Sequence, residues 1–160
     1  MKIDLDRIPN IMPGREVQNW CGPACISTAL ARLGLPTSQT NLASRLDHQE
    51  DYGDILASES IQLGAKAIWV QGVPLDHLSQ LVSANHCQVV VCWMSDVDDD
   101  SNHFSLLELV TPEYIVLNDP DLCGMIKILR RSDFINRWWA PDSAEENGRS
   151  PHWSLVLQNP

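Results

Sequence analysis

The most constraining stretch of this chain is Gln88 to Met94, which reads Gln-Val-Val-Val-Cys-Trp-Met. Consecutive β-branched side chains are stiff at χ1 and fit a pleated surface better than a helix. The run lacks the polar alternation of a strand with one wet face, so both of its faces must be covered. It predicts a central strand with material packed above and below. The 160 residues are close to the ~150 of an ordinary domain, and no repeat or Pro/Gly/Ser-rich linker divides them. A single domain over residues 1–160 is expected. A domain of this size buries about 70% of its extended-chain surface, enough to stand without disulfides or a structural metal.

The residues before that run read as helices. Cys25, Ile26, Ala29, Leu30 and Leu33 recur at helical spacing between Gly22-Pro23 and Gly34. Thr37 or Ser38 caps a second helix carrying Leu42, Ala43 and Leu46, and Asp54 caps a third that closes at Gly64. A short strand, Ala67 to Val70, and a helix from Pro74 to about Ser83 follow. After the central run come strands at Phe104 to Val110 and Tyr114 to Asn118, with Thr111-Pro112-Glu113 as a hairpin turn. Met125 to Leu129 is another strand, Ser132-Asp133 caps a short helix through Trp138, and Trp153 to Leu157 is the last strand. The polar segment from Ala140 to Pro151 reads as a surface loop. Helices first and an antiparallel sheet second is an α+β plan.

Composition removes several classes of function. Eleven Lys and Arg against 21 Asp and Glu give a formal charge of -10. Nucleic acids and anionic membrane surfaces are bound through clustered positive charge, so neither is an expected partner. The longest apolar run is far short of the ~18 residues that span a bilayer. The start, Met-Lys-Ile-Asp-Leu-Asp-Arg, contains no secretory apolar core, which points to a cytoplasmic protein. The five cysteines are odd in number and scattered, unlike a disulfide framework. At least one is expected to be a free thiol.

Cys21 stands where a free thiol is most reactive. In Trp20-Cys21-Gly22-Pro23-Ala24-Cys25 it lies at the head of the first helix, facing unsatisfied N–H groups and the positive end of the helix dipole. That placement favours thiolate, which is the nucleophile. A nucleophile of this kind needs a base and a group to orient the base. His103 opens the first strand of the hairpin and Asp119 closes the second. A turn centred on Thr111 sets them directly opposite each other, and a turn centred one residue later makes them diagonal neighbours on the same face. Only an odd shift of register separates them. A carboxylate so placed accepts one imidazole N–H and favours the charged ring.

With these residues in view, the chain resembles the papain-like cysteine peptidases of the bacteriocin-processing, double-glycine leader type and their stand-alone relatives. Cys21-Gly22-Pro23-Ala24 and the helix to Leu33-Gly34 look like the nucleophile segment of that family. Asn41-Leu42-Ala43 and Gly53-Asp54 are similar to its second and third helices. Val89-Val90-Val91, His103-Phe104, Val116 to Pro120 with Gly124, and Phe134 to Trp138 follow the family's order. The resemblance implies a Cys21–His103–Asp119 triad that cleaves amide bonds through an acyl-enzyme, with no cofactor and a peptide or protein as substrate. It also implies an oxyanion donor upstream of the nucleophile. The family's Gln usually stands five or six residues before the Cys; here position 15 is Arg15, and Gln18 is the candidate through a shortened loop. The backbone N–H of Cys21 is the second donor. Relatives of this fold also deamidate glutamine or transfer acyl groups, and a catalytically silent, peptide-binding module is the rival reading.

The remaining candidates are weaker. Cys21 and Cys25 share a helical turn, but no second Cys or His pair completes a zinc site, so no metal is expected. Asp96 to Asp100 lacks the Gly and Glu of a calcium loop and reads as a solvated acidic connector beside the cleft, favouring cationic peptides. Trp20, adjoining Cys21, is the candidate to line a peptide groove.

Overall fold

The computed structural model describes residues 12–16, 20–46, 52–84, 87–94, 102–121, 125–141 and 149–160. Among these, α1 (Cys21–Arg32), α2 (Gln39–Leu46) and α3 (Tyr52–Gln62) come first, followed by β1 (Lys66–Val70) and α4 (Leu75–Ser83). The second half holds β2 (Cys87–Met94), β3 (Asn102–Val110), β4 (Tyr114–Asp119), β5 (Met125–Arg130) and α5 (Arg131–Arg137). A small ribbon, β6 (Trp139–Pro141) with β7 (Arg149–Pro151), precedes β8 (Ser154–Gln158). This is the α+β plan expected from the order of the segments.

The main sheet has the order β1-β8-β2-β3-β4-β5, and every neighbouring pair is antiparallel. β2 lies inside it, paired with β8 and β3. Its residues alternate between two separate cores. Val90 and Cys92 join Phe104, Leu106, Leu155 and Leu157 beneath α1, α2 and α3. Val89, Val91 and Trp93 join Leu107, Leu117, Phe134 and Trp138 beneath α4 and α5. The apolar run of β2 is thus explained: an antiparallel strand covered on both faces needs no polar side.

Helix ends follow local chemistry. Ser38 Oγ accepts the Asn41 N–H at 3.0 Å and caps α2 as expected. Gly34 at φ +78 and Gly64 at φ +100 end α1 and α3 in a conformation that disfavours a side chain. Three expectations are corrected. Asp54 lies inside α3, which begins two residues earlier. α5 starts at Arg131 with no side-chain cap, so Ser132-Asp133 falls within its first turn. The segment from Ala140 to Pro151 is framed by the β6–β7 ribbon, because the ends of a long excursion still need partners for their backbone groups.

Candidate active site

α1 begins one residue earlier than Gly22-Pro23 predicts. Cys21 is its first residue, and Trp20, half-buried, is the N-cap. The first helical bond runs from the Ala24 N–H to the Trp20 carbonyl at 2.9 Å, so Pro23 interrupts none. No acidic side chain occupies the first turn and no side chain caps it. That leaves the Gly22 N–H to the sulfur of Cys21. At the other end of the helix, Arg32 Nη1 donates to Glu108 Oε1 at 2.8 Å and to Gln88 Oε1 at 3.2 Å, tying α1 to β2 and β3.

His103 and Asp119 sit at the ends of β3 and β4 nearest to Cys21. The turn pairs Val110 with Ile115 and Leu109 with Val116, a register that would place the two side chains on opposite faces. One extra residue, Glu108, bulges between Leu109 and Leu107 and moves the ladder by one, giving Leu107 opposite Leu117 and Leu106 opposite Asn118. Continued to the strand end, that register sets Ser105 directly opposite Asp119 and His103 on the diagonal. The direct opposition of His103 and Asp119 is therefore corrected to the diagonal arrangement on one face. Glu108 is itself held, by Arg32 and by Asn118 Nδ2 at 3.0 Å.

His103 Nε2 lies 2.9 Å from both carboxylate oxygens of Asp119, so the ring points at the middle of the carboxylate. The other ring nitrogen is left for Cys21, whose thiol the ring lowers through hydrogen bonding and charge. Cys21 comes from the face that α1 covers, whereas His103, Ser105 and Asp119 belong by alternation to the opposite face. The site forms where the two faces meet, at the end of the sheet.

Asp119 is fully buried and has a complete set of donors. Ser105 Oγ donates to Oδ2 at 3.0 Å, and the Asp121 N–H donates to Oδ1 at 2.9 Å. Lys127 Nζ lies 3.1 Å from Oδ2. Trp93 Nε1 donates to Ser105 Oγ at 2.9 Å, which fixes the direction of the serine hydroxyl toward the carboxylate. The ring of Trp93 meets that of His103 edge-on at 6.0 Å. Segment 12–16 closes over this end: Met12 N–H donates to Asn118 Oδ1, Arg15 N–H to the Pro120 carbonyl, and Arg15 Nη2 to Asp121 Oδ1.

The electrostatics follow from these contacts. Burial pushes the Cys21 thiol up, but the hydrogen bond with His103, the Phe104 and Gly22 backbone N–H groups and the nearby ring charge outweigh it. The thiol lies below its ordinary value. Burial would lower His103, yet bonding to Asp119 and Cys21 and their negative charge raise it to about 9. Burial would raise Asp119, but His103, then Lys127 and the Asp121 N–H, hold it at about 2. A thiol below its usual range beside a ring near 9 leaves the proton on the ring at neutral pH. Burial drives Cys25 and Cys92 in the opposite direction, upward, with the Cys21 charge adding to it, so these thiols stay protonated.

Ser105, Trp93 and Lys127 were not among the residues singled out in the sequence. Ser105 was within reach, since it lies two residues beyond His103 and shares its face. Lys127 depends on the β4–β5 register, which the turn residues Asp119-Pro120 and Gly124 announce without fixing. Gln18 lies outside the described residues, as do Cys123 and the acidic connector Asp96 to Asp100. No group of three metal-ligating side chains occurs among the described residues.

The fold is that of C39 peptidase domains. A candidate C39-like peptidase from Bacillus anthracis superposes with a TM-score of 0.72 at 16% identity, covering 100% of this chain and 98% of its own. The peptidase domain of Streptococcus ComA, a bifunctional ABC transporter involved in quorum sensing, gives 0.67 at 12% identity over 94% of this chain and 100% of its own. A double-glycine-motif protease from an AMS/PCAT transporter, solved with its leader peptide, gives 0.64 at 16% identity over 96% and 92%. The sequence matches no protein-family model and no curated protein. The papain-like architecture is thus carried by packing rather than by retained sequence. No described helix is long and apolar enough to cross a membrane.

Proposed function

We propose that this chain is a cytoplasmic cysteine peptidase that works as one domain and hydrolyses a peptide bond with Cys21, His103 and Asp119. The observation that carries the reading is the His103 ring set 2.9 Å from both oxygens of Asp119, while its hydrogen bonding and charge lower the thiol of Cys21. The Cys21 thiolate attacks the carbonyl carbon, and the electron pair moves onto the carbonyl oxygen. The Cys21 N–H at the head of α1 faces that oxygen, with Gln18 as the second donor; one such donor is worth about 3 kcal/mol. His103 gives its proton to the leaving amine, and the C–N bond breaks to leave a thioester. Water then loses a proton to His103 and attacks the thioester, releasing the acid and restoring the pair. Asp119 keeps the ring in one orientation and favours its charged form. Trp20, half-buried beside the nucleophile, lines the substrate groove.

The substrate is a peptide, in keeping with the leader peptide bound to one structural neighbour. The four described cysteines are free, as suits a reducing compartment. Digestion of a peptide library by the native protein and by Cys21→Ala, read by mass spectrometry, tests the proposal. Cleavage products present only with the native protein are expected. Glutamine deamidation or acyl transfer without chain cleavage would reassign the reaction, and peptide binding without any product would make the chain a silent module.

A further inference from the structure

Asp119 has more cationic partners than the orientation of one imidazole requires. In the β4–β5 ladder Asp119 faces Met125 and Leu117 faces Lys127, so Lys127 is the diagonal neighbour of Asp119 on that side. His103 reaches the carboxylate from the open end of the sheet, and Lys127 reaches it from the opposite direction along the strands. The ammonium sits 3.1 Å from Oδ2, 3.9 Å from Asp121 Oδ2 and 5.6 Å from the centre of the Trp93 ring. Its side chain is 23% exposed, so it is held against the site with one side toward solvent.

We propose that Lys127 is a positioning residue that shares the Asp119 carboxylate with His103 and thereby sets the pH range over which Cys21 is a thiolate beside a charged ring. The inference rests on the reading of Cys21, His103 and Asp119 as one working set. One carboxylate divided between two cations pulls less strongly on each. With Lys127 present, Asp119 stays ionised and fixed while the ring remains able to release its proton to a leaving group. The other charged groups facing the pair are Cys21 from α1, Arg15 from segment 12–16 and Asp121 beyond β4. Arg137 from α5 stands over the Trp93 ring at 5.0 Å. Arg15 is bonded to Asp121, and Arg137 Nε donates to the Met94 carbonyl at 2.7 Å, whereas Lys127 is placed on Asp119 itself. Removal of its charge leaves the site more negative, which raises both the thiol and the ring.

The test is the rate of iodoacetamide alkylation of Cys21 from pH 4 to 9, read by mass spectrometry, which requires no peptide cleavage. Native protein, Lys127→Met, Lys127→Gln and Lys127→Arg are compared, each checked for its melting temperature. Replacement by Met or Gln is expected to move the acid limb up by about 0.5–1 pH unit, a fall of about 3- to 10-fold in rate at pH 5.5. Lys127→Arg restores the limb. A loss of melting temperature with an unmoved limb, or an Arg variant that shifts as far as Met, overturns the proposal and leaves the peptidase reading intact. Native Cys21 alkylating only in the range of an ordinary thiol overturns that reading, and this proposal with it.

Discussion

His103 meets Asp119 on the diagonal of β3 and β4, and the meeting depends on the single bulged residue Glu108. The observed turn from Thr111 to Tyr114, centred between Pro112 and Glu113, alone yields the register that separates them. The bulge and the turn together return both side chains to one face. Glu108 is buried in ion pairing with Arg32 and also accepts from Asn118. Replacement by Ala leaves Arg32 and Asn118 without that acceptor and is expected to destabilise by about 1–3 kcal/mol. Chemical denaturation at pH 6 measures it. Deletion of Glu108 closes the ladder with Leu107 still opposite Leu117 and is expected to keep rapid Cys21 alkylation in whatever fraction folds.

Cys21 is expected to react alone at pH 5–6. An ordinary thiol is ionised to well under ~1% there, and Cys25 and Cys92 are pushed still higher by burial. Peptide mapping after brief iodoacetamide treatment should find Cys21 modified at least ~10-fold ahead of Cys25, Cys87 and Cys92. Uniform slow labelling contradicts the ion pair.

The alkaline limit of activity is expected to be set by the ring. Its pKa of about 9 owes much to the Asp119 hydrogen bond and charge. Asp119→Asn removes that charge, so the limb is expected to move down by more than ~1 pH unit. A profile of kcat/KM against pH with any substrate found in the library screen shows it; an unchanged limb contradicts the role given to Asp119.

Stability should fall on the alkaline side. His103 has a folded pKa of about 9, raised from 6.5. Its contribution is complete below about pH 6.5 and is lost as pH rises through about 9. That shift corresponds to about 3 kcal/mol at ~1.36 kcal/mol per pH unit. Asp119, lowered to about 2 from 3.8, adds stability above pH 3.8 that is lost as pH falls through about 2. Because the two residues are partners, the alkaline and acid losses describe one interaction. Urea midpoints at pH 6 and pH 9.5 are expected to differ in the native protein and to differ less in His103→Gln.

Ser105 links an indole to a carboxylate. Ser105→Ala leaves the Trp93 N–H buried without its acceptor and takes one donor from Asp119, costing about 1–3 kcal/mol. Trp93→Phe combined with Ser105→Ala should cost less than the sum of the single changes, because the orphaned donor is gone. A double-mutant cycle by thermal or urea unfolding reads this difference.

Much of the architecture was legible in local patterns. The valine run of β2 located the middle of the sheet, and Gly34, Ser38 and Gly64 marked helix ends through chemistry confined to a few residues. Cys21 was recognisable because a thiol at a helix start needs no distant contact to be unusual. The fine register of His103 was not legible, because a bulge at a glutamate leaves no compositional sign until Arg32 and Asn118 are brought against it. Lys127 was missed for the same reason. Its role comes from β5 lying beside β4, a fact of topology. The ribbon of β6 and β7 was hidden because its strands are three residues each and separated by a polar stretch.

β8 is the latest strand in the sequence, yet it is seated between β1 and β2 and is the sole described link between β1 and the rest of the main sheet. A ribosome has therefore delivered the sulfur, the ring and the carboxylate long before it delivers the piece that locks the two parts together. Until residues 154–158 emerge, the nascent polypeptide holds every reactive group without the assembled frame to aim them. Synthesis itself would then delay any bond-breaking until β8 has emerged.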